Sequence, residues 1–473
     1  MDMLFNKKKA DFRKTWLSDY NRTDQVDTSK NKIMLGEFIH KEMKHFSKYD
    51  CDRSIPNLMD GFKISQRKII FGAFQKNLKD EIKVAQFSGY VSEKSGYHHG
   101  EASLNGAIVN MAQDYVGSNN INLLLPNGQF GTRLQGGKDS ASERYIFTKL
   151  NMLTRIIFQK KDDAILTYLD DDGLPVEPIF YVPIIPMILV NGTEGIGTGF
   201  STKIPCFNPS QIIKYIKAHL EGAELNAYTE FIPYYKGFKG NIERDEIPTR
   251  FITYGVYTIK KTKVDITELP IGTWNEDYII YLEKLIDAGT IKDYKDMSTD
   301  KNVNISVVLQ NENIDVVKTL KLSSYLSINN MNLFNEKEQL THYNEIHEIC
   351  DAFIAVRIQY YDIRKKYLIT QLEKDTEVLK NKYTYITELL AGTLDLRKKS
   401  VQQIQDVLEE KSYIKYENSY NYLIKMTMDS VCEENVKSLQ KEYNDKLSEL
   451  ELIQKTTIQQ MWLNELIYLE KFI

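Results

Sequence analysis

Cysteine is scarce in this chain of 473 residues, which contains four: Cys51, Cys206, Cys350 and Cys432. They lie far apart in the sequence, and no Cys-x-x-Cys pair occurs. Neither a structural zinc site nor a disulfide framework is therefore expected, and a reducing compartment is the natural interpretation.

Long apolar segments are lacking as well. No run approaches the ~18 residues that a membrane span requires, and residues 1–9 are basic without the apolar stretch and cleavage site of a secretory signal. No membrane association is expected. The formal net charge is −4, so any affinity for nucleic acid must come from a local basic face rather than from bulk charge.

Several familiar catalytic and binding motifs are absent. No Walker motif, Ser-His-Asp set or pair of catalytic glutamates stands out, and the glycine-rich run 192–199 lacks the Gly-Lys-Ser/Thr of a phosphate-binding loop. The acidic run 170–173 is typical of a surface turn more than of a metal site. The adjacent His98 and His99 lack a third ligand at suitable spacing. The sequence therefore predicts no metal-binding or cofactor-binding residue.

Four regions differ in pattern. Residues 1–34 are polar and lysine-rich and predict a linker, whereas 35–175 combine helical periodicity, basic exposed faces and strand-like segments, as in a winged-helix module. Residues 176–344 predict an α+β domain without βαβ repeats. Residues 345–473 carry a coiled-coil seam and a second long helix, with a smaller helical segment at about 386–430. This pattern predicts an antiparallel helical hairpin with a knob at its tip.

Helices are expected to begin near Leu35, Ser65, Glu81 and Gly100. In the third region, the run Ile179–Val190 is rich in β-forming residues, although two prolines interrupt it. Further strands, a hairpin and a helix are predicted at 192–200, 251–259, 263–266, 277–288 (the helix) and 303–309.

The run Gly136–Tyr145 is small, polar and turn-forming, and it delivers Tyr145 directly behind Arg144. A tyrosine hydroxyl is a weak nucleophile at neutral pH because its pKa is ~10. A neighbouring guanidinium stays charged and can clamp a phosphate through two hydrogen bonds. Alone, such a pair is explained as readily by packing and surface charge.

Other residues suggest an anionic partner. Lys63 is predicted just before a helix N-terminus, with Arg67 and Lys68 in the first turn, where cations oppose the helix dipole unless an external anion is present. His99, opening another helix, suits a phosphate donor or proton relay. Ile196, between glycines in a hairpin, either packs inward or wedges between base steps. The alternatives are a solvated charged face and a structural histidine.

These segments together resemble the DNA-breakage and reunion region of type IIA DNA topoisomerases, in particular the eukaryotic and viral type. The resemblance keeps the family's order and spacing from about Phe38 to the end of the chain. The matching runs are RSIPNLMDGFK, SGYHHGE, GSNN, GQFGTR, GGKDSASERYIFTKL, VEPIFYVPIIPMILVNGTEGIGTGFSTKIP, ITELP and NYLIKM.

The resemblance implies that Tyr145 attacks a backbone phosphate and holds the 5′ end of the broken strand. Arg144 would stabilise the transition state and His99 would assist, so these three are the predicted catalytic residues. The predicted DNA-binding residues are Arg53, Lys63, Arg67, Lys68, Tyr97, His98, Ser103 and Ile196.

The implied architecture is multidomain α+β: a winged-helix domain, an α/β tower domain, and a long antiparallel coiled coil with a helical dimerisation gate. The implied partners are double-stranded DNA and a second copy of the chain, met through the gate and the winged-helix region. ATP and Mg²⁺ would be bound by an ATPase domain and a TOPRIM domain preceding residues 1–34. The implied location is host cytoplasm for a viral protein and nucleus otherwise.

Two rival functions remain open at this stage, a non-enzymatic dimeric protein that bends DNA and a structural coiled-coil protein. The sequence also departs from the family's usual proline at two positions, Ile64 and Glu143. Glu143 places a carboxylate beside Arg144, where it would either orient the guanidinium or weaken its phosphate contact.

Overall fold

The computed structural model describes residues 2–21, 23–223, 230–416, 418–427 and 431–473. Parts of two predicted segments lie outside the described residues: Met1 and Arg22 of the expected linker, and residues 417 and 428–430 of the expected gate head. The chain divides into two compact units, Met1–Arg357 with Leu463–Ile473, and Ile358–Trp462. In the described part of the chain, no helix is both long and apolar enough to cross a membrane.

A helical module occupies the first part of the first unit. Its helices are α1 (Asp2–Phe5), α2 (Ala10–Ser18), α3 (Leu35–His40), α4 (Glu42–Ser54), α5 (Ile64–Gln75), α6 (Val84–Ser95) and α7 (Glu101–Ala112). Helices α5, α6 and α7 contact one another. Strands β1 (Ile82–Lys83), β2 (Leu124–Asn127) and β3 (Phe147–Leu150) form an antiparallel sheet in the order β1–β3–β2. Three mutually packed helices with a small sheet confirm the predicted winged-helix module.

The N-terminal segment differs from the expected linker. Trp16 and Leu17 of α2 are buried in a core shared with Ile39, Cys51 and Phe200. Few apolar side chains stand among many lysines here, so the average composition concealed two that are large enough to anchor the segment.

The next part of the unit contains short elements. They are α8 (Met152–Ile157), β4 (Tyr168–Asp171), β5 (Leu174–Pro178), α9 (Met187–Asn191), β6 (Thr193–Gly197), β7 (Phe200–Ile204) and α10 (Pro209–Leu220). The expectation of β structure over Ile179–Val190 is wrong, since the run ends in the helix α9. The predicted hairpin at 192–200 is confirmed as β6–β7.

Two larger sheets follow, as the α+β prediction required. The elements are β8 (Asn241–Arg244), β9 (Arg250–Tyr254), β10 (Val256–Lys260), β11 (Lys263–Glu268), α11 (Asn275–Asp287), β12 (Ile291–Asp296), β13 (Ile305–Leu309), α12 (Val316–Thr319), β14 (Ser323–Ser327), β15 (Met331–Phe334) and β16 (Leu340–Tyr343). The sheet orders are β10–β11–β13–β12 and β14–β9–β8, with β15 paired to β16. Tyr278 and Leu282 of α11 pack against Val264, Ile266 and Val307.

The remaining helices are α13 (Ile346–Leu390), α14 (Val401–Glu410), α15 (Asn421–Ile424), α16 (Glu433–Lys455) and α17 (Ile458–Leu469). Within the second unit, Lys365 Nζ of α13 donates to the Thr456 carbonyl at 2.8 Å, just beyond the end of α16. Ile386, near the other end of α13, shares a core with Leu439, near the start of α16. The two long helices therefore run antiparallel, and α14 and α15 form a head at their tip. The predicted fold class is confirmed.

Candidate active site

The loop that leads to Tyr145 is braced by its own polar groups. Asp139 accepts hydrogen bonds from Thr132 N at 2.8 Å, from Thr132 Oγ1 at 2.6 Å and from Gln129 Nε2 at 3.1 Å. Gly137 has φ of +84°, and a Cβ there would lie 2.5 Å from Gln113 Nε2, so only glycine fits. The small and turn-forming residues of this run thus fold into a fixed support for the residues that follow.

Tyr145 ends that support at the edge of strand β3. Its N–H donates to the Ser142 carbonyl at 2.9 Å, and the next residue anchors the chain when Ile146 O accepts from Val84 N at 3.0 Å. The side chain of Tyr145 is 69% exposed. The Arg144 guanidinium carbon lies 5.4 Å from the Tyr145 ring centroid. An exposed hydroxyl beside an exposed cation is the arrangement that attack on a phosphate requires.

Glu143 reaches Arg144 through a hydroxyl. Arg144 Nε donates to Ser142 Oγ at 3.3 Å, and Ser142 Oγ donates to Glu143 Oε2 at 3.3 Å. The carboxylate therefore acts on the guanidinium by way of Ser142. Of the two effects considered from the sequence, this geometry favours orientation over competition for the phosphate.

His99 contacts an aromatic residue on another helix. Its Nε2 is hydrogen-bonded to the hydroxyl of Tyr49 on α4, and the Tyr97 ring meets it edge-on at 5.3 Å between centroids. Partial burial and the nearby positive charge of Arg53 lower the pKa of His99 below its ordinary value. The imidazole is therefore neutral at neutral pH and suited to donate a hydrogen bond rather than to act as a cation.

A cleft of about 380 Å³ joins the two halves of the site. One wall is the N-terminal part of α7, which begins two residues after His99, and the other wall is formed by residues of the loop before Arg144. Glu101, Asn105, Gly137 and Glu143 are among its lining residues. The predicted catalytic residues therefore lie on segments that flank a common cleft.

Lys63 ties two elements together. It lies immediately before α5, as predicted, and its Nζ donates to the Glu194 carbonyl of β6 at 2.7 Å. Burial lowers the pKa of Lys63. The helix start also accommodates Ile64 where the family has proline, because Lys63 N donates to Gln66 Oε1 at 2.9 Å.

Arg67 and Lys68 occupy ion pairs rather than a free basic face. Arg67 is buried and donates to both carboxylate oxygens of Asp60, at 2.7 and 3.0 Å. Lys68 Nζ donates to Glu177 at 2.9 Å and to the Ser95 carbonyl. These cations satisfy buried carboxylates, so a phosphate contact by either would require an ion pair to open. Their assignment to DNA binding stays a prediction without geometric support.

The other predicted DNA-binding residues fall into two groups. Arg53, His98 and Ser103 are exposed, whereas Tyr97 is buried beneath His99. The acidic run 170–173 forms the turn between β4 and β5, where Gly173 N donates to Asp170 Oδ1 at 2.8 Å. Among the described residues, no group of three or more His, Cys, Asp or Glu side chains is placed to hold a metal ion.

Ile196 points outward. It is 81% exposed in the hairpin β6–β7. The hairpin lies so close to α4 that a Cβ at Gly195 would fall 1.9 Å from the Ser54 carbonyl. Beyond it, Asp50 Oδ2 accepts from Thr198 N at 2.6 Å and from Thr198 Oγ1 at 2.5 Å. Of the two possibilities left by the sequence, inward packing is excluded.

Tyr49 and Asp50 are the site residues that sequence reasoning missed. Both lie on α4, one turn before the predicted DNA contact Arg53. The available signal was helical spacing: Tyr49 and Arg53 are four residues apart and so share a face. Attention to motif residues alone passed over this face.

Comparisons with known proteins agree with this geometry. A family model described as DNA gyrase/topoisomerase IV matches residues 53–467, and one described as the C-terminal associated domain of TOPRIM matches residues 1–51. The chain is similar to DNA topoisomerase 2 of Arabidopsis thaliana, at 39% identity over 522 residues covering 100% of this chain and 35% of that protein. DNA topoisomerase 2 of Saccharomyces cerevisiae is 38% identical over 526 residues, covering 98% and 37%.

The chain thus spans about a third of the length of these curated relatives. Among solved structures, it matches the Plasmodium falciparum topoisomerase II DNA-binding, cleavage and re-ligation domain with a TM-score of 0.91 at 39% identity. That match covers 99% of this chain and 68% of the solved chain.

Proposed function

Since the chain belongs to the type II DNA topoisomerase family, we propose that it is the DNA-binding, cleavage and religation core of an ATP-dependent type II DNA topoisomerase. The observation that carries the proposal is the exposed Tyr145 beside Arg144 at the end of a braced loop. A second duplex passes through the transient double-strand break before religation.

The chemistry is a transesterification. The Tyr145 oxygen forms a bond to a backbone phosphorus as its proton leaves, and the bond from phosphorus to the 3′ oxygen breaks. The 3′ oxygen takes up a proton, and the 5′ end stays on Tyr145 as a phosphodiester. Because one phosphodiester replaces another, the reverse reaction religates the strand without an external energy source. Arg144 stabilises the charge that develops on the phosphate, and His99 donates a hydrogen bond there.

Magnesium and ATP belong to regions outside this sequence in our proposal. The similarity of residues 1–51 to a domain associated with TOPRIM supports a preceding metal-binding domain. Bound Mg²⁺ would supply Lewis-acid activation of the scissile phosphate. The chain by itself is then expected to bind and bend DNA and to cleave it poorly. Efficient magnesium-dependent cleavage by the isolated chain would contradict this division of roles.

Double-stranded DNA and a second copy of the chain are the proposed partners. Each protomer would cut one strand, and the protomers would meet through the winged-helix region and the helical head. A purely architectural protein that bends DNA without cutting it is not favoured, because the matched relatives are topoisomerases and the matched structure is a cleavage and re-ligation domain.

We further propose that the chain comes from a large cytoplasmic DNA virus and resembles the African swine fever virus enzyme. The support is the sequence resemblance alone, and the proposal carries with it a location at viral replication sites in host cytoplasm. Immunofluorescence of infected cells with an antibody to this chain tests it. Staining confined to the nucleus would contradict the viral-factory location.

Trapping of a covalent protein–DNA adduct tests the proposed function. The chain is joined to the metal-binding region expected to precede it, incubated with Mg²⁺ and supercoiled plasmid, and denatured. We expect an adduct that Tyr145→Phe abolishes and that Tyr325→Phe, at an exposed tyrosine of β14, leaves intact. An adduct that persists in Tyr145→Phe means that another residue is the nucleophile. No adduct beside an active control enzyme favours the architectural protein.

A further inference from the structure

Tyr49 is the side chain of α4 that engages the predicted catalytic histidine. Its hydroxyl is hydrogen-bonded to His99 Nε2, and the two rings lie 5.7 Å apart between centroids at 35°. Tyr49 is 44% exposed, so the contact lies at the surface that a DNA backbone would reach. The contact bridges two parts of the chain fifty residues apart.

The groups around His99 disfavour its charged form. Arg53 of α4 and Lys68 of α5 bring positive charge towards it, and His98 precedes it in the same turn. These are the charged and titratable neighbours, with Tyr49 and Tyr97 as the aromatic ones. A neutral imidazole has one N–H and one lone pair, so the hydrogen bond at Nε2 decides which of them remains at Nδ1.

The tyrosine is the donor in this hydrogen bond. Burial raises the pKa of Tyr49 above its ordinary value, which keeps the hydroxyl protonated at neutral pH. A donated proton at Nε2 places the imidazole's own proton on Nδ1. The opposite tautomer would leave a lone pair at Nδ1, which an anionic phosphate repels.

We propose that Tyr49 is a positioning residue: it holds His99 through Nε2 and thereby presents the Nδ1–H of His99 to the phosphate that Tyr145 attacks. This inference rests on the proposed function and deepens it. Without the hydroxyl, the ring is free to rotate and to exchange tautomers, and the donor is lost for part of the time. Removal of the hydroxyl therefore slows cleavage without weakening the grip on DNA.

Kinetic comparison of matched variants tests this role in the chain joined to its metal-binding region. Tyr49→Phe is expected to lower the single-turnover rate of adduct formation by about tenfold, within the range of a single proton-donor contribution. The dissociation constant for DNA should change by less than about twofold, and Tyr325→Phe should change neither quantity. The double variant Tyr49→Phe/His99→Ala should be no slower than His99→Ala, because Tyr49 acts through His99. Additive losses, or an unchanged rate in Tyr49→Phe, would overturn the inference.

A spectroscopic measurement separates this inference from the proposed function. Long-range ¹H–¹⁵N correlation of ¹⁵N-histidine-labelled protein reports the tautomer, and His99→Ala assigns the resonance among the seven histidines. We expect a neutral ring protonated at Nδ1 in the wild type and mixed tautomers in Tyr49→Phe. A ring protonated at Nε2 in the wild type would defeat the role of Tyr49 even where adduct forms. Failure of all adduct formation would instead defeat the proposed function.

Discussion

At the scale of single residues, two arginines of one motif have opposite surroundings. Arg53 is exposed on the last turn of α4, whereas Arg67 is buried against Asp60. Asp60 also accepts from Phe62 N and Tyr181 N at 3.0 Å each, so this carboxylate and its arginine tie three segments together. Buried charges depend on their partners far more than exposed ones do.

This contrast predicts different consequences for the same substitution. Arg67→Met should lower the free energy of unfolding by about 3–5 kcal/mol, because it leaves a buried carboxylate without its partner. Arg53→Met should change stability by less than ~0.5 kcal/mol but weaken DNA binding and reduce its salt slope by ~1. Denaturant unfolding and DNA titration at several salt concentrations measure both. A reduced salt slope in a fully stable Arg67→Met would show that Arg67 contacts phosphate after all.

The residue scale also shows what a sequence can reveal about a site. Arg144 and Tyr145 are neighbours in the chain, so their proximity needed no knowledge of the fold. The engagement of Arg67 with Asp60 depends on the tight turn at 60–62 and on the approach of Tyr181. The Tyr49–His99 contact likewise exists only once α4 packs beside the segment before α7. Pairs of this kind are invisible until distant segments are assembled.

At the scale of elements, the hairpin β6–β7 presents Ile196 from a rigid mounting. Gly195 lets it lie against α4, Lys63 holds its first strand by the Glu194 carbonyl, and Asp50 holds Thr198 beyond the wedge. An intercalating side chain must withstand the unstacking of bases, which opposes insertion by a few kcal/mol per step. A loose hairpin would yield before the DNA does.

We therefore expect DNA bending to depend on the mounting as well as on the wedge. Ile196→Ala should remove most of the bend, and Asp50→Ala should remove part of it, because Thr198 loses its acceptor. Asp50→Asn keeps an acceptor oxygen and should bend DNA as the wild type does. Energy transfer between dyes at the ends of a short duplex measures the bend at saturating protein. A full bend in Asp50→Ala would show that the hairpin needs no support from α4.

Elements with one apolar face were predicted well, and those without one were not. The helices α5, α6 and α7 expose basic faces, so helical periodicity located them to within a few residues. Residues 180–190 are buried on every side, and a wholly apolar run carries no periodicity to tell strand from helix. Pro186 in fact precedes the first turn of α9, a position that proline tolerates.

At the scale of the whole chain, each unit has a hydrophobic core of its own. In the first unit, α11, α12 and the sheet containing β11 and β13 surround Leu320. In the second unit, residues of α13, α14, α15 and α16 surround Leu408. Both leucines are fully buried. Truncation of either should cost about 2–5 kcal/mol in the free energy of unfolding of its own unit.

The proposed dimer gives these two truncations different effects on assembly. Leu408→Ala removes support from the helical head, which we propose to be a dimer contact, so the dimer dissociation constant should rise at least about tenfold, equivalent to ~1.4 kcal/mol. Leu320→Ala destabilises a region with no proposed dimer contact and should leave that constant unchanged. Sedimentation equilibrium over a range of concentrations measures both variants at a temperature where each stays folded. Equal weakening of the dimer in both would mean that general destabilisation, and not the head, governs assembly. No weakening in Leu408→Ala would place the dimer contact elsewhere in the chain.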